Sequence, residues 1–454
     1  MFRDFHLIRN PREDVLFFPA SYRLFKLPKE EGDAVAACRE SGRALSLSGR
    51  IGSIIAAEAE KATAMVDNSQ PCGETDNLCL YVAHDCNLHC TYCYNHQGHV
   101  ANPGMMMPPE VAESAFRRFF TVPGRKYTVA MYGGEPLLNF HGIKAMVEAG
   151  RRLEAERGIG ISFSITTNGT VFNRERIKFL GDQFASISVS IDGPKEDHDR
   201  HRLAARGSSY DRVIKHLPGV LAYCGDKVSL LGTLTGTAAA RYVDLLGHLR
   251  SLGTNRVALS PVDGTDDNPA AMNASEYEAY SRQHEALCAS AIENGLEGDA
   301  PREAINVVAN LLTRRKLHRY CNAGCNPAIT ADGSIYACHG LVGIPEFGMG
   351  NVTDADSPAY RRVHSAFVKL DVDQIEQCAS CWARYFCGGQ CYAQAHFRSG
   401  DVVIPDARYC GHVKRCISAS INSFVSVVEN PDIRGRLYAN AKRLIGAPKV
   451  TVHG

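Results

Sequence analysis

The chain has 454 residues, with 50 Lys and Arg against 49 Asp and Glu and a formal net charge of +1. That balance leaves no basic footprint for nucleic acid, and no apolar run reaches the length that spans a bilayer, so neither nucleic acid nor membrane is expected as a partner. The N-terminus, MFRDFHLIRN, is charged from its first residues and lacks an apolar core, so no signal peptide is read and a cytoplasmic location is expected. The length allows two or three domains with a large core. Seventeen cysteines exceed what packing needs, and they cluster: three within Cys86–Cys93, three within Cys321–Cys338 and six within Cys378–Cys416. Clustered thiols in a long chain without a secretion signal point to metal before disulfides.

Two strand-like runs, Phe5–Arg9 and Val15–Leu27, precede an Ala-rich amphipathic stretch, Asp33–Ala44, and a second one, Ile51–Ala64. They compose either a small ββα-type module over residues 1–75 or an N-terminal extension of the main domain, joined to it by the polar segment Asp67–Asp76. From there strands and helices alternate. The strand-like runs are Leu78–Ala83, Tyr127–Tyr132, Ile161–Thr166, Ala185–Ile191, Lys227–Thr235 and Arg256–Pro261. Helical patterns lie between them, near Pro109–Phe120, Ile143–Arg157, Glu175–Leu180, Tyr210–Ala222 and Ala240–Leu252. The alternation predicts an α/β fold with a parallel sheet, curled by right-handed crossovers into a partial (β/α)6 TIM-like barrel over residues 76–300. Functional groups belong at the C-terminal ends of its strands. Over residues 301–420 the periodicity fades, Gly and Cys rise and turns separate short segments, so metal clusters are the expected organisers of this C-terminal Cys-rich domain. Val413–Val428 is amphipathic and leads into a helical tail over 421–454.

Directly after the first barrel strand stands Cys86-Asn-Leu-His-Cys90-Thr-Tyr92-Cys93. Three thiolates at this spacing can hold three irons of a [4Fe–4S] cube and leave the fourth open to a ligand. A closed zinc site would need a fourth protein ligand, for which His84, His89 and His96 are at hand. Gly133-Gly134-Glu135-Pro136 ends the second strand, Thr166-Thr167-Asn168-Gly169 the third, and Ser190-Ile191-Asp192-Gly193 the fourth, followed by Asp199, Arg202 and Gly207; Leu259 lies in the sixth. Each piece alone is a common turn signal, but here they stand in order at successive strand ends. This set resembles the motifs of radical S-adenosylmethionine (SAM) enzymes. The resemblance implies a [4Fe–4S] cluster on Cys86, Cys90 and Cys93, with Tyr92 beside it, and SAM as second cofactor. It implies that Gly133 and Gly134 let backbone approach the methionine of SAM, whose amino group main chain and Glu135 hold. Thr166 and Asn168 would reach ribose and substrate, Ser190, Asp192 and Arg202 would lie in the segment that meets the SAM carboxylate, and Leu259 would pack on adenine. The chemistry implied is one-electron cleavage of SAM to a 5′-deoxyadenosyl radical that takes a substrate hydrogen.

Further on, Cys321 precedes Gly333-Ser-Ile-Tyr-Ala-Cys338, and then come Cys378-x2-Cys381-x5-Cys387-x3-Cys391 and Cys410. This order is similar to the SPASM domain, which implies two auxiliary [4Fe–4S] clusters, three clusters in all. Carried over, Cys321, Cys338 and Cys391 serve one cluster, with Cys325 the candidate fourth ligand, and Cys378, Cys381, Cys387 and Cys410 serve the other. Cys416 is spare, and Cys38, Cys72, Cys79, Cys224 and Cys288 are read as packing residues.

Cys338-His339-Gly-Leu-Val-Gly343, Met349-Gly-Asn351-Val352 and Cys381-Trp382-Ala383-Arg384 resemble thioether-forming peptide maturases, the SCIFF type and the maturase of quinohemoprotein amine dehydrogenase. Trp382, the only tryptophan, is read as packing beside a cluster. The resemblance implies installation of a Cys sulfur-to-carbon thioether in a ribosomally made peptide or protein. Its partners would be a peptide carrying a leader, added as a strand at an edge supplied by Val15–Leu27, and a flavodoxin- or ferredoxin-like electron donor. Carbon–carbon (cyclophane) crosslinking is the alternative within the same scaffold. Anaerobic sulfatase-type maturation is less favoured, because that group carries an acid beside the GxxxxC cysteine where this chain has His339. His339 is either a catalytic base or a hydrogen-bond donor to the cluster. An iron–sulfur electron carrier is the non-enzymatic alternative, but a carrier needs no SAM pocket.

Overall fold

The computed structural model describes residues 5–40, 49–64, 75–95, 103–262, 268–298, 300–354 and 357–446. Most of the polar segment Asp67–Asp76, together with Cys72 and His96, lies outside these residues.

The N-terminal part is a three-stranded antiparallel sheet, β1 (His6–Ile8), β2 (Asp14–Phe18) and β3 (Arg23–Leu27), followed by α1 (Lys29–Glu40) and α2 (Arg50–Ala64). The single run expected over Val15–Leu27 is thus two strands. The chain turns between them, and Tyr22 takes φ 53° there, held by its hydroxyl on the Tyr385 carbonyl at 2.8 Å and its ring on Phe386 at 4.9 Å. The sheet edges are therefore β1 and β3, while β2, buried along its whole length, is central.

The alternating region folds as read. Its strands are β4 (Asn77–Ala83), β6 (Lys126–Gly133), β7 (Gly160–Thr167), β8 (Phe184–Ser190), β10 (Val228–Leu234) and β11 (Val257–Pro261), with the short β5 (Leu88–Cys90) and β9 (Arg202–Ala204) in the loops. The six long strands pair in parallel and in chain order. Helices α3 (Pro109–Phe119), α4 (Phe140–Arg157), α5 (Arg174–Gln183), α6 (Lys195–His201), α7 (Ser209–Cys224) and α8 (Tyr242–Ser251) connect them. β4 is buried from Leu78 to Ala83, the continuous apolar run that a parallel strand covered on both faces requires. α3 and the strands close over Phe116, Phe120, Tyr127 and Phe163.

After α9 (Ala274–Glu293) and α10 (Arg302–Thr313), the Cys-rich region does not stand apart from the barrel. Its strands β12 (Ala328–Ile329), β13 (Ser334–Tyr336) and β14 (Gly348–Asn351) extend the barrel sheet, β12 pairing in parallel with β4. The sheet has two open ends, β11 and β14, as a partial barrel must. Short helices α11 (Pro358–Val368), α12 (Glu376–Ala379), α13 (Arg384–Cys387) and α14 (Tyr392–Ser399) follow, then α15 (Ala407–Val427) and α16 (Pro431–Gly446). A second core joins the N-terminal sheet to these helices through Val15, Phe17, Val307, Ile417, Ile421 and Phe424. Among the described residues no helix is long and apolar enough to cross a membrane.

Candidate active site and cysteine centres

The loop that carries Cys86, Cys90 and Cys93 leaves the end of β4 and is held on three sides. β5 pairs antiparallel with β9, which sets Cys90 opposite Arg202. Cys93 N–H donates to the Cys90 carbonyl at 3.2 Å, closing the turn. Asn168, at the end of β7, donates to Asn87 Oδ1 at 2.9 Å and sits 3.7 Å from Cys86 Sγ. Burial, the Glu135 carboxylate and the neighbouring Cys90 and Cys93 push the Cys86 thiol up to about 12, and burial lifts Cys90 to about 11 against the pull of Arg202. Buried thiols raised in this way need a cation to become thiolates. His84 accepts the Ala331 N–H through Nε2 and His89 is exposed on β5, so neither completes a zinc tetrahedron with them.

The Gly133–Pro136 turn closes directly over this loop. Gly133 has φ 128°, and a Cβ there would stand 2.3 Å from the Ala83 carbonyl oxygen, so only glycine allows β4 and β6 to end side by side. Gly134 N–H then donates to Ala83 and Glu135 N–H to Asp85. Glu135 is fully buried, and its carboxylate accepts from Leu137 N–H at 3.0 Å, Thr167 Oγ1 at 2.6 Å and Asn168 N–H at 2.7 Å. It anchors the β7 turn that carries Asn168.

Asp192, after β8, is the hub of the opposite wall. Its carboxylate accepts from Tyr92 Oη, from Arg202 Nε at 3.0 Å and from Thr233 N–H at 2.9 Å. Arg202 also lies over the Tyr92 ring at 5.6 Å. Burial alone would raise the Asp192 carboxyl, yet Arg202 and His198 bring it below its ordinary value. Asp192 and Arg202, both in the segment expected to meet the SAM carboxylate, pair with each other, and β9 holds the cysteine loop through β5. Thr166 and Ser190 stand half-buried at their strand ends, and Leu259 is buried against Gly232.

The remaining cysteines gather as two sets. The Cys338 thiol is raised by burial and by Cys391 and Cys321 beside it. Cys378 is pushed up to about 11 by burial, Cys381 and Cys410, and Cys387 to about 12 by burial, with Cys410 and Cys378 nearby. Residues far apart in sequence are thus brought near one another. Cys325, the expected fourth ligand of the first set, is instead disulfide-bonded, and a disulfide sulfur has no thiolate to give. Between that set and the Gly133 turn lies a buried aromatic layer. Tyr94 Oη donates to Tyr132 Oη at 3.0 Å, Tyr81 Oη to the His339 carbonyl at 2.7 Å, and Asn95 Nδ2 to the Gly133 carbonyl at 3.1 Å. His339 packs on Tyr132 with Nδ1 3.9 Å from Cys338 Sγ. Trp382 is a packing residue, its ring stacked on His6 at 4.2 Å and edge-on to Phe17. Neither the aromatic layer nor the Tyr92–Asp192 contact was visible in spacing, because both join residues of different strands.

Residues 80–223, which carry the three thiols, the glycine turn and the anchored β7 turn, match the model of the Radical SAM superfamily. The chain is also similar to several maturases. It is 24% identical to a cysteine-type anaerobic sulfatase-maturating enzyme of Clostridium novyi (strain NT) over 65% of this chain and 82% of that one. A solved structure, tagged anSMEcpe with bound AdoMet, shares the fold at a TM-score of 0.66 and 20% identity, covering 81% of this chain and 98% of that one. Streptococcus suis SuiB bound to S-adenosylmethionine shares it at 0.54 and 15%, over 89% and 98%.

Proposed function

We propose that the chain is a radical SAM maturase that joins a substrate Cys sulfur to carbon as a thioether in a peptide or protein. The observation that carries this reading is His339 beside Cys338, itself next to Cys391 and Cys321; a cavity of about 500 Å³ is lined by residues 268–276 and Arg408. Among its lining residues, Ala271 packs against the cluster of Tyr92, Val262 and Ala270, and Arg408 stands two residues before Cys410. Asn268, Met272 and Glu276 complete a lining both polar and apolar, suited to a peptide segment.

Cys86, Cys90 and Cys93 would hold the [4Fe–4S] cluster that meets SAM. Cys321, Cys338 and Cys391 would hold one auxiliary cluster, and Cys378, Cys381, Cys387 and Cys410 the other. Bound there, the reduced cluster and SAM supply one-electron abstraction of hydrogen from carbon. The protein's share is placement. Gly133 brings two strand ends together, Glu135 and Asn168 fix the β7 turn, and Asp192 with Arg202 holds Tyr92 and the loop. His339, beside Cys338, would take the substrate thiol's proton. The edges of the N-terminal sheet, β1 and β3, suit a leader added as a strand, and a flavodoxin- or ferredoxin-like protein would deliver the electron.

Sulfatase-type maturation is the second reading, favoured by the names of several relatives. Solved structures of anSMEcpe with a bound peptide and of SuiB with its precursor peptide support a peptide substrate under either reading. His339, where sulfatase maturases carry an acid, favours the thioether. Anaerobic reconstitution, iron counting and mass spectrometry of a Cys-containing peptide separate them. About twelve irons per chain, the sum of three four-iron cubes, and a peptide lighter by two hydrogens with one thiol blocked are the expected result. The same loss with every thiol free would mean a carbon–carbon bond, and modification at Cys without a bond to another residue would favour the sulfatase type.

A further inference from the structure

Two cysteines outside the three sets, Cys288 and Cys416, face each other between α9 and α15. Each belongs to a His-x3-Cys pair on its own helix, His284 with Cys288 and His412 with Cys416. Spacing of four residues puts both members of a pair on one helix face. The two faces meet: His284, Cys288, His412 and Cys416 are 8, 0, 4 and 0% exposed. One ring nitrogen of His284 and the two sulfurs lie within 4.8 Å of one another. Cys416 Sγ is 3.9 Å from His412 Nε2, and the two imidazoles are 5.2 Å apart. Ordinary packing needs none of this, since the helices around the four are joined by Val413, Ile417, Ile421 and Val307.

Three of the donors, on His284, Cys288 and Cys416, already cluster, and His412 stands beside them on Cys416. His412 Nδ1 meets Ser281 Oγ at 3.0 Å, which leaves Nε2 as the lone-pair nitrogen. His284 Nε2 meets Glu303 Oε2 at 2.9 Å, the carboxylate partner that metal-bound imidazoles characteristically carry. Its Nδ1, now on the Tyr242 hydroxyl at 2.9 Å, is the atom that a metal would recruit as that hydroxyl turns away.

We propose that His284, Cys288, His412 and Cys416 form a zinc site that staples α9 to α15, separate from the iron–sulfur centres. Two thiolates and two imidazoles, all buried, match the tetrahedral preference of Zn²⁺. On binding, the ion replaces the two S–H protons, which pass to solvent, and two thiolates against one dication leave the four-ligand set without net charge to bury. This site does not depend on the thioether reading and stands or falls apart from it.

The test uses the full-length protein, purified anaerobically from zinc-replete cells, with zinc and iron counted together. X-ray absorption at the zinc edge is blind to iron and reads only the zinc ligands. The expected result is one zinc per chain, with two sulfurs at about 2.3 Å and two nitrogens at about 2.0 Å. The Cys288→Ala/Cys416→Ala variant is expected to lose the zinc and keep its iron. A zinc content far below one per chain, a shell of sulfur alone (zinc in the iron sites), or a disulfide between Cys288 and Cys416 on thiol mapping would overturn the proposal. Should the double variant fail to fold, the wild-type edge spectrum alone decides.

Discussion

The loop at Cys86–Cys93 and the segment from Cys321 to Cys410 place thiols by opposite means. The loop hangs on β4, buried from Leu78 onward, and is fixed by the β5–β9 ladder and the Asp192 hub. These supports are protein alone, and they rest on a core of the barrel's own. The later segment has little regular structure to rely on: β12 has two residues, α12 and α13 four each, and its cysteines come together from distant turns. With the clusters proposed above, removal of metal is therefore expected to silence the first region and to unfold the second.

The largest effect is on chemistry. Replacing Cys86, Cys90 and Cys93 by Ala should abolish release of 5′-deoxyadenosine while the thermal midpoint hardly moves. A large drop in that midpoint would break the comparison, since the loop would then be held by its metal. The structural counterpart is Cys378→Ser with Cys381→Ser. Hydrogen exchange should rise across residues 357–410, and the barrel strands between 77 and 261 should stay protected. Exchange that rises equally in both regions would show one cooperative unit.

Within the barrel, Asp192→Asn sharpens the comparison by attacking the protein support instead of the metal. It leaves the Arg202 guanidinium buried without its counter-charge, a loss of about 3–5 kcal/mol for a buried pair. Urea unfolding should show that loss, with SAM cleavage falling because Tyr92 and the loop lose their hub. Unchanged stability would mean that Tyr92 and Thr233 hold the region without the charge.

What the sequence made legible follows the same division. The barrel strands announced themselves, because long strands buried on both faces leave continuous apolar runs between helical patterns, and Gly133 and Asn168 stand at their ends. β12 to β14 were missed as part of the same sheet, since strands of two to four residues show no periodicity. The break at Tyr22 was hidden because the residues on both sides are apolar. Asp192 and Arg202 were singled out as residues, but their pairing depends on β9 folding back on β5, which spacing does not show. Cys288 and Cys416 read as packing residues because the helices that bring them together are far apart in the chain.

The smallest effect concerns the contact between the N-terminal sheet and the Cys-rich region. His6 stacks on Trp382 with its ring planes 6° apart, and Arg39 Nη1 approaches its Nδ1 at 3.3 Å. Burial first, then the charges of Arg39 and Lys414, lower its pKa from 6.5 to about 4. A histidine held neutral in the folded state favours folding above its unfolded pKa, and that contribution is lost as pH falls through the window from 6.5 to about 4. Hydrogen exchange over residues 5–27 should therefore increase between pH 7 and pH 4.5 by more than exchange in the barrel does. His6→Phe keeps a ring on Trp382 but cannot be protonated, so in that variant the excess should vanish. If wild type and variant respond alike to acid, the docking of the N-terminal sheet is governed by Phe17 and Tyr22, whose contacts with Phe386 do not titrate in this range.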